Sequence, residues 1–304
     1  MNKRASFVAS ATFLAIVAHL AAAPAIPPTS TIAAKINMAK AQSLPAASQA
    51  IDCLLAEVPD IRTAVKMISQ SFGVDVRKDV STVIAFSDGF SYSDGRVSLK
   101  DASSLASGKF DTARMSAAVK KAPGFTSVNA SGLEAMTADF SKGRWVAFPS
   151  GNTVLASSTK SAITKAAAAL AAVSDASQGF LAKSIDADCA AVVAIDGSKG
   201  APNLTTLTSG LLKADARSIV AKITEPTPGT ARLDVDMVFD NETIAAQTFA
   251  TINGIKMLTA LRQAQDPSAP SLLQRLVEAD VNCSGSKVHF AMTASAKDLS
   301  SLKL

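Results

Sequence analysis

The chain has 304 residues, 48% hydrophobic against 18% charged, a globular composition long enough for one large core or two modest ones. Its 30 Lys and Arg exceed its 25 Asp and Glu by +5, but they are scattered, and one Trp and one Tyr leave little for bases to stack on. That pattern argues against a nucleic-acid binder.

The first segment, MNKRASFVASATFLAIVAHLAAAPA, carries Lys3 and Arg4, then an apolar run from Phe7 to Val17, then Ala21-Ala22-Ala23. This is the three-part layout of a secretory signal peptide, assigned to residues 1–23. The run is short for a membrane span and His19 interrupts it, so membrane contact is expected only through an uncleaved leader. Cys53 lies too far downstream to make a lipid-anchored form. Losing Lys3 and Arg4 lowers the net charge from +5 to +3. A secreted or periplasmic location follows, in an oxidising compartment where Cys53, Cys189 and Cys283 permit one disulfide and one thiol or three buried thiols.

Residues 24–48 are rich in Ala, Pro and Ser and read as a tether, helical in its middle. From Ile51 to Gly73 the apolar residues fall at helical spacing around Pro59. VSTVIAF and RVSL read as strands either side of FSYS, which sits between Asp88-Gly89 and Asp94-Gly95. RWVAF and NTVLAS form a further hairpin, and ITKAAAALAAV is a helix by alanine content. SDASQG marks a joint. Beyond it, CAAVVAI reads as a central strand, and SIVAKIT and RLDVDMVF flank the turn PTPGT. In RLDVDMVF, Leu233, Val235 and Met237 alternate with Arg232, Asp234 and Asp236.

The halves echo each other. FDTARMSAA at Phe110 resembles FDNETIAAQ at Phe239, and VNASGLEAMTA from Val128 resembles VNCSGSKVHFAMTA from Val281. The expected fold is therefore α+β: two related modules, residues 49–175 and 176–304, each a mainly antiparallel sheet packed by helices.

The stretch SGKFDTARMSAAVKK places a Gly-Lys pair before a helix, but a phosphate loop needs G-x-x-x-x-G-K-[ST]. Here Ser103 stands at the first glycine and Phe110 follows Lys109. The residues read instead as a strand end at Phe110, a cap at Asp111, an apolar stripe of Met115, Ala118, Val119 and Ala122, and a stop at Pro123-Gly124. S-x-x-K occurs at Ser157–Lys160, Ser284–Lys287 and Ser300–Lys303. In penicillin-binding enzymes such a lysine activates the serine, but the accompanying S-D-N and K-T-G elements are absent. Ser157 and Lys160, at a helix start where serine is also a common cap, are the candidate pair. His289, alone after the leader, lies by strand parity with Lys287 and Ala291, away from Val288, Phe290 and Met292. It has no assigned acid and reads as a surface residue. Asp234 and Asp236 share a face that reads as solvated. SDGFSYSDG resembles a calcium loop only until Phe90 and Tyr92 occupy ligand positions. No metal or cofactor is expected.

FGVDVRKDVSTVIAF (Gly73, Asp75, Asp79) followed by SGKFDTARMSAAVKKAPGF resembles a loose group of uncharacterised exported bacterial α+β proteins. These share a G-[IV]-D-x-x-x-D-V stretch, a G-x-F-D strand-to-helix junction, a hairpin and an alanine-rich helix. The similarity covers residues 50 to 175 and, more faintly, the rest. It implies an envelope or secreted protein and brings no catalytic residue. The function expected is a non-enzymatic binding or scaffolding protein of the envelope, its partner an unknown envelope protein. The alternatives are a carrier of a small apolar ligand, held under Phe249, Ile252, Ile255 and Leu258, and a serine hydrolase using Ser157 and Lys160.

Overall fold

The structure, a computed structural model, describes residues 26–45, 72–93, 96–138, 143–172, 179–200, 214–265 and 271–295, with single positions at 48, 66, 69, 70, 205, 212 and 298. The leader, Cys53, Asp94-Gly95, most of the segment from Ile51 to Gly73, most of SDASQG, and Ser300–Lys303 lie outside these residues.

In chain order the elements are β1 (Ile32–Asn37), α1 (Met38–Ser43), β2 (Val80–Ser87), β3 (Gly89–Ser93), β4 (Arg96–Lys100), β5 (Ser103–Gly108) and α2 (Thr112–Lys120). Then come β6 (Phe125–Ala130), β7 (Leu133–Ala138), β8 (Trp145–Ser150), β9 (Thr153–Ser157), α3 (Lys160–Ala171) and α4 (Phe180–Ile185). The last are β10 (Ala191–Asp196), β11 (Ser218–Thr224), β12 (Thr230–Val238), α5 (Glu242–Gln265), α6 (Ser271–Glu278), β13 (Asp280–Ser284) and β14 (Lys287–Ser295). The fold is mixed α+β. It divides into two compact units, residues 1–39, 53–89 and 99–187, and residues 40–52, 90–98 and 188–304. The first runs on through α4, past the joint expected at residue 175.

In the first unit the strand order is β1-β2-β5-β9-β8-β7-β6, every neighbour antiparallel. β1 corrects the reading of residues 24–48 as a tether. IAAKIN pairs along β2 from Ile32↔Ser87 to Asn37↔Thr82, with Ala33 buried. Small residues let the middle of this sheet close. Ser103 faces Ser157 across β5 and β9 with hydroxyls 2.7 Å apart, and Ser107 faces Thr153 at 3.3 Å. Buried hydroxyls that satisfy each other avoid a desolvation cost of roughly 1–3 kcal/mol each. α3 lays Ala162, Ile163, Ala166 and Ala167 on this region, and its cap is Thr159, whose hydroxyl accepts from Ala162 N at 3.0 Å. Lys165 on α3 reaches Asp88 at 2.6 Å and Asp101 at 3.2 Å. The Thr159 hydroxyl, and Lys165 after it, hold Asp101 below the usual carboxylate range despite its burial.

In the second unit the order is β13-β14-β12-β11-β10, again antiparallel throughout. β11 and β12 make the hairpin expected around PTPGT, with Gly229 at φ +83. Phe239 follows β12 into the core and α5 begins, capped by Asn241, whose Oδ1 accepts from Ile244 N at 3.0 Å. α6 leads into the β13–β14 hairpin.

Each unit thus contains three strands in antiparallel succession (β1-β2-β5 and β10-β11-β12), a crossing helix, and a strand returning beside the third (β9 and β14). The Phe-Asp junction falls at the same place in both, although the cap is Asp111 in one and Asn241 in the other. The second sequence echo does not hold position. VNASGLEAMTA forms β6–β7 at the sheet edge, whereas VNCSGSKVHFAMTA forms β13–β14, whose place in the order matches β8–β9.

Candidate functional site

The serine candidate comes first. Ser157 is 3% exposed at the end of β9 and its hydroxyl is engaged with that of Ser103, while Lys160 is exposed at the first position of α3. A nucleophile must meet both its base and its substrate. Ser157 is closed to substrate, and Thr159 rather than Ser157 serves as the helix cap. At the second motif, Ser284 and Lys287 stand opposite each other across the β13–β14 turn, and Lys287 Nζ is committed to Asp236 Oδ1 at 2.9 Å.

The second unit offers more, because its sheet has two chemically different faces. On one, antiparallel pairing of β12 with β14 sets Asp236 opposite His289, Asp234 opposite Ala291, Arg232 opposite Thr293 and Thr230 opposite Ser295. His289 Nδ1 lies 2.9 Å from Asp236 Oδ1 and its Nε2 lies 3.7 Å from Asp234 Oδ1. The reading of His289 as a residue without an acid is therefore corrected: two acids hold it. Burial pushes Asp236 upward, yet Lys287 and His289 together keep its carboxyl below the usual range. Arg232 Nε meets Asp234 Oδ1 at 2.9 Å, so the strip alternates in sign along its length.

A His–Asp pair is the orienting half of a nucleophilic site. Here, among the described residues, both ring nitrogens face carboxylates and neither meets a hydroxyl or thiol. Cys283 stands opposite Val288, one position off the His289 rung, and is exposed; no disulfide joins it to Cys189, which is buried. The strip is half-exposed ion pairing, and it locks β14 to β12 in one register. Among the described residues no group of three or more His, Cys, Asp or Glu has metal-holding geometry.

At the Arg232 end the strip opens into a recess of about 260 Å³. Ala291 lies within it, with Thr230, Thr293 and Ser295 from the strands and Arg275 and Glu278 from α6.

The other face is apolar and unevenly covered. The rung Ile195–Ile219–Met237–Val288 is buried. The next two rungs, Val193–Ala221–Val235–Phe290 and Ala191–Ile223–Leu233–Met292, are open to solvent in part, with Val193 and Ile223 exposed. α5 packs on β13 and β14 and is seated at its start, where Ala245 and Thr248 are buried. Further along it, Phe249, Ile252 and Ile255 are half-buried, and Met257, Leu258 and Leu261 are 68, 69 and 60% exposed. Leu258 and Leu261 lie three residues apart, and Met257 and Leu261 four apart, so the three share one helix face. The apolar-carrier alternative set Leu258 over a ligand; the structure leaves it in water. Among the described residues no helix is long and apolar enough to cross a membrane.

No family model matches the chain, and comparison with curated proteins found no match. Among solved structures, crystal form III of TP0453 aligns with a TM-score of 0.52 at 11% identity, over 93% of this chain and 97% of that one. Crystal form I of the same protein aligns at 0.46 and 12% identity, over 91% and 95% of the two chains. The likeness to form III is one of fold.

Proposed function

We propose that this chain is an exported, non-enzymatic binding protein of the cell envelope, and that its second unit docks a partner protein through the open end of its apolar face. The observation that carries the reading is the exposure of Met257, Leu258 and Leu261 together on one face of α5. Burying a leucine or methionine side chain stabilises by about 1.5–3 kcal/mol, so three left in water on one helix are costly unless something covers them. Val193 and Ile223, exposed on the sheet, extend the apolar character of the same unit.

Export is supported by the leader pattern of residues 1–23. The resemblance to exported α+β proteins points the same way, since Gly73-Asp75-Asp79 and Gly108-Phe110-Asp111 carry it. Ser157, sealed against Ser103, and His289, enclosed by carboxylates, favour binding over catalysis. We infer as well that the units descend from one duplicated module, a view supported by their common strand order and shared Phe-Asp junction.

The test is the size of the protein in a detergent-free extract of the cells that make it. The wild-type chain is expected to elute well above monomer mass. The variant Met257→Ser/Leu258→Ser/Leu261→Ser is expected to elute as a monomer with an unchanged circular dichroism spectrum. A wild type at monomer mass, or a variant that elutes with the wild type, would overturn the reading.

A further inference from the structure

The recess on the polar face is distinct from the apolar stripe, and its chemistry selects a ligand. Arg232 enters from β12 and Arg275 from α6, each held from one side by acids. Arg232 Nε meets Asp234 at 2.9 Å. Arg275 Nε meets Asp298 at 3.0 Å and its Nη1 meets Glu278 at 2.8 Å. These pairs fix both guanidinium planes while leaving terminal N–H groups uncommitted among the described residues: two nitrogens on Arg232 and one on Arg275. Fixed forks with free donors are suited to a carboxylate. Glu278 and Asp298 also keep Arg275 above its ordinary pKa, so its charge is constant across any working pH.

Two acids share the recess with these arginines. Glu278 closes the α6 side and Asp280 opens β13, its carboxylate without a partner among the described residues. The lining is therefore balanced in charge. A bare anion drawn to the arginines also meets Glu278 and Asp280, and a bare cation meets the reverse. A molecule carrying both signs satisfies all four. The volume, about 260 Å³, equals the liquid share of about nine waters, which suits a small molecule and excludes a folded partner. Thr293 adds a hydroxyl that is uncommitted among the described residues and can donate or accept.

We propose that this recess binds a small zwitterion of the amino-acid or dipeptide type, its carboxylate on Arg232 and Arg275 and its ammonium between Glu278 and Asp280. Arg232 links the site to the charged strip, so occupancy would also steady the end of the β12–β14 ladder.

The probe is glycylglycine, titrated into the isotope-labelled mature chain while the amide signals of Asp280, Thr293 and Ser295 are followed by nuclear magnetic resonance. Saturable shifts at those three amides are expected, with acetate, methylammonium and inorganic phosphate each binding at least roughly ten-fold more weakly. Asp280→Asn and Arg232→Gln should each weaken glycylglycine by a similar factor. The exposed Asp280 side chain makes no hydrogen bond or ion pair among the described residues, so its variant reports on the site even if Arg232→Gln disturbs the ladder. Three results would overturn the proposal: no saturable shift, phosphate or acetate binding as well as the dipeptide, or Asp280→Asn binding like the wild type.

Discussion

Gly108 occupies a place that admits no side chain. A Cβ built there would lie 1.8 Å from the backbone oxygen of Asp79, and that oxygen accepts from Lys109 N at 2.6 Å. Asp79 is itself locked, its carboxylate accepting from Asp75 N at 2.7 Å while its own N–H donates to Asp75 O at 2.8 Å. So the Gly-Lys pair that stands where a phosphate loop would is a point of close backbone approach. It joins the two sequence phrases that carry the resemblance to a group of exported proteins. Gly108→Ala should cost about 3 kcal/mol in denaturant unfolding, because the clash is with backbone and cannot be relieved by a rotamer. A loss below about 0.5 kcal/mol would show that the strand end is free to shift. That a glycine mattered here was legible in G-x-F-D; its reason was not, because Asp79 lies 29 residues away and the contact depends on the pairing of β2 with β5. Ser157 teaches the converse. S-x-x-K is visible in any sequence, whereas the burial that seals Ser157 against Ser103 exists only once β5 and β9 are side by side.

Between elements, the charged strip is what fixes β14 against β12. The alternation in RLDVDMVF and KVHFAMT was plain from the sequence, and so was the side of the strand on which His289 lies. The partner was not, since 53 residues separate Asp236 from His289 and strand register leaves no local mark. For the same reason the echo between VNASGLEAMTA and VNCSGSKVHFAMTA misleads: the same hairpin chemistry serves at two different places in the sheet order. β1 was missed because IAAKIN lies among Ala, Pro and Ser residues that resemble a linker. The strip has a measurable consequence. Asp236 is held below its unfolded pKa of about 3.9, so its contribution to stability is present above that value and is lost as pH falls through the lower, folded one. Unfolding free energy measured from roughly pH 5 to pH 2 should therefore fall less steeply for Asp236→Asn than for the wild type. Asp236 is a third exposed and Lys287 about half, so the difference should be about 1 kcal/mol or less. Identical slopes would mean that Lys287 and His289 do not hold the carboxylate in solution.

For the molecule as a whole, the α+β class was readable in the runs of alternating and alanine-rich residues, whereas the bounds of the two compact units, which interleave along the chain, were not. What could not be read was which apolar residues stay uncovered. Leu258 looks like any core leucine in FATINGIKMLTALRQ, and only the path of α5 along β13 and β14 leaves it in water. The central claim is that this stripe is kept for a partner, and the most direct measurement is photocrosslinking in the cells that make the protein. A photoreactive residue placed at Leu258 should give a discrete higher-mass protein adduct after irradiation, and the same residue at exposed Lys160 in the first unit should give none. No adduct from Leu258, or an adduct to lipid alone, would contradict the account, and the lipid adduct would favour a carrier of apolar ligands in its place.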